Sequence, residues 1–144
     1  MLNGDECFCY RNRHKHQEKN VIKNVKKAKA FIRRNGKSKA MAEFKKNSSK
    51  IFAIELNGTV LASPIHPETV GTNQINYIDP YGVFVVREEI AKAKSGGGWL
   101  KGRYRKNHIT GHYACRKVYI LLRQPFFIGS WYYYPANEKN ECVI

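Results

Sequence analysis

Two β-rich runs, Ile51–Leu56 and Thr59–Pro64, are separated only by Asn57-Gly58. Asn-Gly favours a tight turn, because both residues accept positive φ cheaply and the turn matches the twist of the flanking strands. The pair predicts an antiparallel hairpin closed by a two-residue type I′ turn. The rest of the chain must then build onto these two adjacent strands. Upstream, Val21, Val25, Ala28, Phe31 and Ile32 form an apolar stripe at helical spacing, with Lys and Arg on the other side. Asn35-Gly36 interrupts that helix, and Ser38–Phe44 forms a second, shorter one. Downstream, residues 65–81 form a long loop rich in Pro, Gly, Asn and Asp. Val83, Phe84, Val86, Ile90 and Ala93 mark a helix to about Lys94, with Asp79 as a capping candidate. Three strands follow, over 98–104, 112–122 and 126–134.

This order of helix, hairpin, helix and antiparallel meander predicts an α+β fold. It has a five-stranded antiparallel sheet, an N-terminal helix and a long covering loop, with the helices mostly on one face. The strands and helices do not alternate as βαβ units. Gly96–Gly98 follows a helix instead of opening one, which removes a phosphate-loop reading.

The chain has 144 residues, enough for one domain with a real core and too few for two. Residues 1–20 are polar and charged and read as a basic flexible arm, dispensable for folding. Residues 21–135 read as the single domain, and 136–144 as a C-terminal tail. The net charge of +15 is unevenly spread. Residues 1–50 hold 15 Lys/Arg against 4 Asp/Glu, whereas 51–144 hold 11 against 7. The basic end suits an anionic membrane surface or nucleic acid. A specific nucleic-acid groove is not expected, because the aromatic run 126–134 lacks interleaved cations. No apolar run approaches the ~18–20 residues needed to span a bilayer, and the N-terminus has no apolar core of a secretory signal.

Catalytic signatures are not legible: there is no Ser/His/Asp order, paired carboxylate or metal cluster. His108 and His112 are four apart, but Thr110-Gly111 breaks any helix between them. Cys7 and Cys9 form a lone C-x-C, a weak zinc signal even with His14 and His16 nearby. With Cys115 and Cys142 they leave room for a disulfide, for example from a terminal cysteine to Cys142, that spacing alone does not assign. No enzyme, cofactor or metal is expected.

Several motifs, in order, resemble one family. They are Lys27–Ile32 through Asn35-Gly36, Ala40–Phe44, Phe52–Ala62 with its Asn57-Gly58 turn, Pro67-Glu68 with Val70–Asn73, and Asp79–Gly82. Gly97–Leu100, Asn107 with Thr110-Gly111, Arg116 with Tyr119, and Phe127–Ser130 complete the series. From about Val25 to Tyr134 the chain is similar to the single Cache domain, type 2, of bacterial extracytoplasmic sensors, as a divergent free-standing member with a PAS-like fold. The resemblance implies a ligand-binding sensor in signal transduction, periplasmic or membrane-associated, that cups a small carboxylate between sheet and covering loop. A signalling protein would be its partner.

By this resemblance the site residues are Ser63, Asp79, Trp99, Arg116 and Tyr119. Arg116 stands where the family places a Lys, and Tyr119 where it places a Tyr. Three apart on one strand, they point to opposite faces unless a bulge intervenes. The chain departs from the family at Ile51 and Ala53, where aromatics are usual, at Ser63, where a His is usual, and at Trp131, where a Gly is common. Loss of bulk along the sheet wall should enlarge the pocket and change its polarity. Arg116 is the cation expected to pair with an anionic ligand.

Overall fold

The computed structural model describes residues 4–143, with side chains from residue 11 onward. Helix α1 (Gly4–Asn35) is followed by α2 (Lys37–Phe44), β1 (Phe52–Glu55), β2 (Val60–Ala62) and α3 (Val85–Lys94). Strands β3 (Gly98–Trp99), β4 (Arg103–Lys106), β5 (Tyr113–Arg123) and β6 (Phe126–Tyr134) complete the chain. All strand pairs are antiparallel, in the order β2-β1-β6-β5-β3, with β4 also on β5. The sheet has six strands instead of five, because the run expected as one strand breaks at Leu100–Gly102 into β3 and β4.

The basic arm is a correction. Residues 4–20 are the first half of α1, not an irregular segment. The buried positions Val21, Val25, Ala28 and Ile32 repeat at intervals of four and three. His14 and Glu18 continue the same rhythm toward the N-terminus. His14 is only 4% exposed, with Nδ1 2.8 Å from the Tyr132 hydroxyl, and Glu18 accepts from Lys117 Nζ at 3.0 Å. The stripe therefore extends two turns beyond its apolar part, on residues whose polarity hides it. Burial holds the His14 pKa below the usual histidine value, with Glu18 partly offsetting it. Protonation of this imidazole opposes folding, so its contribution is complete above the ordinary pKa and is lost as pH falls through the lowered one. Deleting residues 1–18 is expected to cost more than about 2 kcal/mol in chemical denaturation, because it uncovers Tyr132 and Tyr134 and leaves Lys117 unpaired. An unchanged midpoint would contradict this packing.

The hairpin forms where expected, with a different turn. The Gly58 N–H donates to Glu55 O and the Glu55 N–H to Thr59 O, enclosing Leu56, Asn57 and Gly58 as a three-residue loop. Gly58 has φ of +100°, whereas Asn57 is not among the residues with positive φ. A type I′ turn needs both, so the geometry is a type I turn followed by a glycine bulge. A β-carbon at Gly58 would also lie 2.7 Å from Asn73 Oδ1.

Helices α1 and α2 share one face, in keeping with the expectation of helices mostly on one face, and α3 covers the other. On one face, Val25, Ala28 and Ile32 of α1 and Ala40, Met41 and Phe44 of α2 bury against Ala53, Phe126 and Ile128. On the other, Val86, Ile90 and Ala93 of α3 bury against Ile54, Ile120 and Phe127. The two-residue period of β6 is responsible: successive phenylalanines at 126 and 127 serve opposite cores. A third cluster, Val21, Cys115, Tyr132 and Tyr134, lies on the α1 side and is closed by a Cys115–Cys142 disulfide. A bond from a terminal cysteine to Cys142 is thereby replaced. The side chains of Cys7 and Cys9 lie outside the described residues.

Candidate functional site

The α3 face of the sheet is only partly covered by α3. The remainder, toward the β4 end, lies under the loop joining β2 to α3 and encloses a cavity of about 550 Å³. The loop is tied down at both ends. The Val60 N–H donates to Thr72 O and the Gly71 N–H to Val60 O, so it runs along the free edge of β2. Nearer α3, Arg87 Nε donates to Ile75 O at 2.8 Å. A short 3₁₀ turn follows at Pro67–Thr69, and the Ser63 Oγ accepts from the His66 N–H just before it at 3.1 Å.

The sheet wall of the cavity is mostly apolar: Phe52, Ile54, Val60, Val118 and Trp131. Trp131 is the cross-strand partner of Val118 and packs against Phe52, ring centroids 6.2 Å apart. Tyr77 and Tyr81 of the loop and Tyr113 of β5 stand half-exposed at the opening. Trp131, which stands where the family commonly has a Gly, is thus a wall of the cavity.

Polar groups enter at a few points. Arg116 projects from β5, half-buried, and makes no hydrogen bond or ion pair among the described residues. Its cross-strand neighbour Tyr133 carries a buried hydroxyl that also lacks a partner. Asp79 is 8% exposed and fully engaged. Its Oδ1 accepts from the Tyr81 and Val83 N–H groups and its Oδ2 from Arg105 at 2.8 Å. Burial alone would raise the Asp79 pKa, but the Val83 and Tyr81 N–H groups and the Arg105 guanidinium outweigh it and hold the carboxyl below its usual value. Asp79 therefore anchors the loop to β4. It does not cap α3, whose first residue is Val85 and whose N-cap, Phe84, has no side-chain cap. Arg105 also lies over the Tyr81 ring, 4.1 Å from its centroid.

At the opening, His66 and His108 meet edge to face at 4.6 Å. Burial, then the neighbouring His66, Arg116 and Lys106, lower the His108 pKa, so a cationic imidazole there is opposed by other cations. Glu89 of α3 is 7% exposed and lines the cavity without a hydrogen bond or ion pair among the described residues. Burial pushes its carboxyl up to about 7; Arg116 opposes the rise and Glu88 adds to it.

Of the five expected site residues, the structure brings together Ser63, Asp79 and Arg116. Trp99 and Tyr119 are elsewhere. They are cross-strand partners on the α1 face, with rings 5.2 Å apart and Lys117 over Trp99 at 5.1 Å. The β5–β6 register runs unbroken from Cys115 to Arg123, so no bulge turns Tyr119 toward Arg116. Trp131, Glu89, Arg105 and His108 were not anticipated. The signal for Glu89 was a carboxylate on the apolar stripe of α3, three residues after Val86 and one before Ile90.

The site is a covered, largely apolar cavity on one face of the sheet, into which Arg116 projects without a hydrogen bond or ion pair among the described residues. Residues 8–133 match the family model of the Cache domain, and the chain belongs to that family. Solved structures agree on the fold. A methyl-accepting chemotaxis protein from Vibrio parahaemolyticus RIMD 2210633 superposes with a TM-score of 0.72 at 18% identity, over 88% of this chain and 95% of that one. A Cache chemosensory domain described for carboxylic acid recognition gives 0.61 at 17% identity, over 92% and 99%. The periplasmic sensor domain of a chemotaxis protein gives 0.61 at 16%, over 85% and 93%. No curated protein matches. Among the described residues no helix is long and apolar enough to cross a membrane.

Proposed function

We propose that this Cache domain senses a small carboxylate that enters beneath the 63–84 loop and pairs with Arg116. The observation that carries the reading is the half-buried Arg116 guanidinium, without a hydrogen bond or ion pair among the described residues, in a largely apolar cavity. A desolvated cation without a partner is costly, and a planar carboxylate matches the geometry of its paired N–H donors. Among the other ionisable groups of the cavity, Asp79 and Arg105 neutralise each other and His66 lies 3.1 Å from Glu68, while Lys106 stands on the rim and Glu89 inside. A cavity of about 550 Å³ has room for more than a two-carbon acid, and Phe52, Val118 and Trp131 suit an alkyl or aryl body. That a structural neighbour is described for carboxylic acid recognition supports the same class. The Cys115–Cys142 bond and the periplasmic neighbour both favour an oxidising, extracytoplasmic setting. A sensing role further implies a signalling protein that reads the bound state.

Base stacking on the aromatic C-terminal strand has less support. Phe126, Phe127, Tyr132 and Tyr134 are buried and offer no platform for bases. The exposed Lys and Arg of α1 remain suited to an anionic membrane surface.

A thermal-shift panel of acetate, pyruvate, hexanoate and phenylacetate, with glycine, leucine and butylamine as amine-bearing counterparts, tests the reading. A carboxylate at 100-fold excess over its Kd is expected to add about 2.7 kcal/mol of stability. Stabilisation by butylamine alone would overturn it.

A further inference from the structure

Glu89 has no role in the reading above, yet it is the most buried ionisable group facing the cavity. It sits on the apolar stripe of α3 between Val86 and Ile90 and has no hydrogen-bond partner among the described residues. Its carboxylate opens onto the cavity, where water or a ligand can meet it; the buried side-chain polar atom without a partner among the described residues is the Tyr133 hydroxyl. Its charged surroundings can be named element by element. Arg116 faces it from β5. Arg103 and Arg105 come from β4, but each is already paired, with Glu88 at 2.9 Å and with Asp79 at 2.8 Å. Lys101 lies before β4, Asp79 is on the loop, and Glu88 is the neighbour on α3. Toward the opening the same cavity carries Lys106, His66, Glu68 and His108. Arg116 and Glu89 thus face one space, and no ion pair joins them.

We propose that Glu89 is a ligand-contacting acid: in its protonated form it donates a hydrogen bond to the carboxylate held by Arg116, so that the ligand and one proton bind together. This rests on the carboxylate reading and specifies how that ligand is held. The proton balance is simple. At a pH well above its pKa the empty site is ionised at Glu89, the bound site carries a neutral Glu89 against an anionic ligand, and the difference approaches one proton taken from solvent; at lower pH the uptake shrinks with the ionised fraction. Two observations favour the protonated donor over an ionised Glu89 that accepts from a ligand ammonium. Burial already pushes this carboxyl up to about 7, and an anion beside it raises the cost of ionisation further. The cavity also holds Arg116, which has no ion pair among the described residues, and Lys106 at its rim, and both repel a second cation.

The test is calorimetry of the stabilising carboxylates of the panel at about pH 6 and about pH 8, each in two buffers of different ionisation enthalpy. Wild-type protein should take up close to one proton per ligand at the higher pH, and its affinity should fall roughly tenfold between the two. In Glu89→Gln, which keeps a donor but cannot titrate, both effects should vanish and the lower-pH affinity should be retained. His66→Gln and His108→Gln serve as controls, since both imidazoles lie on the rim. Proton uptake that survives in E89Q and disappears in either histidine variant would overturn the assignment. Carboxylate binding without proton uptake would overturn it too, leaving the carboxylate reading intact. If no panel carboxylate binds at either pH, that reading itself fails and Glu89 loses its role with it.

Discussion

Replacing Arg116 with alanine is expected to weaken carboxylate binding by about 2–5 kcal/mol, roughly 30-fold or more in Kd, while leaving the fold intact. The loss is large because the ligand's charge would stay buried without its partner among Phe52, Val118 and Trp131. The fold should survive because Arg116 makes no hydrogen bond or ion pair among the described residues. Arg116→Lys should recover part of the affinity, since it restores the charge without the paired N–H donors. Isothermal titration of the three proteins, with circular dichroism as the folding control, checks the series. Equal affinity in wild type and R116A would place the ligand somewhere else.

The double variant Cys115→Ser/Cys142→Ser is expected to lose about 3–4 kcal/mol of stability, and its melting temperature to fall by about 10 °C. The bond closes a loop with a sequence separation of 27 residues, and opening it returns that freedom to the unfolded chain. It also releases Cys142 from the cluster of Tyr132, Tyr134 and Trp99 under the first half of α1. Ligand affinity should change little. Cys115 is next to Arg116 in the chain, but the two project from opposite faces of β5. A melting temperature that is unaltered, and equally insensitive to reductant in wild type, would show that the bond does not form in solution.

How much of this was legible in the sequence depended on whether a signal was apolar. The last strand was bounded correctly at Phe126 and Tyr134 because aromatic residues fill it from end to end. The hairpin was found from Asn57-Gly58, but its loop length was not, because the same dipeptide also closes a three-residue turn with only the glycine at positive φ. The N-terminal half of α1 was missed because His14 and Glu18 carry the buried stripe there. A polar residue on a helical repeat counts as solvent-facing until its partners, Tyr132 and Lys117, more than 90 residues away in sequence, are known.

The candidate site shows the same division. Arg116 was named on the family resemblance, as the cation in the matched segment of its strand with a route inward, and it does face the cavity. Trp99 and Tyr119 were included on family resemblance against the two-residue period, and the period prevailed: Tyr119 is three residues from Arg116, and Trp99 pairs with Tyr119. Glu89 was passed over because a lone carboxylate on an amphipathic helix is ordinarily solvated. Only its long-range neighbours on β4 and β5 show that it is not.

The chain contains two tryptophans, and the fold puts them on opposite faces of one sheet. Trp131 lines the proposed ligand cavity, whereas Trp99 packs under α1. Titrating a stabilising carboxylate into Trp99→Phe and into Trp131→Phe, and following tryptophan emission, therefore reports which face the ligand occupies. The account predicts a saturable change from Trp131 in the first protein, with the affinity measured by calorimetry, and a silent Trp99 in the second. A response confined to Trp99, with Trp131 unaffected at saturating ligand, would contradict it.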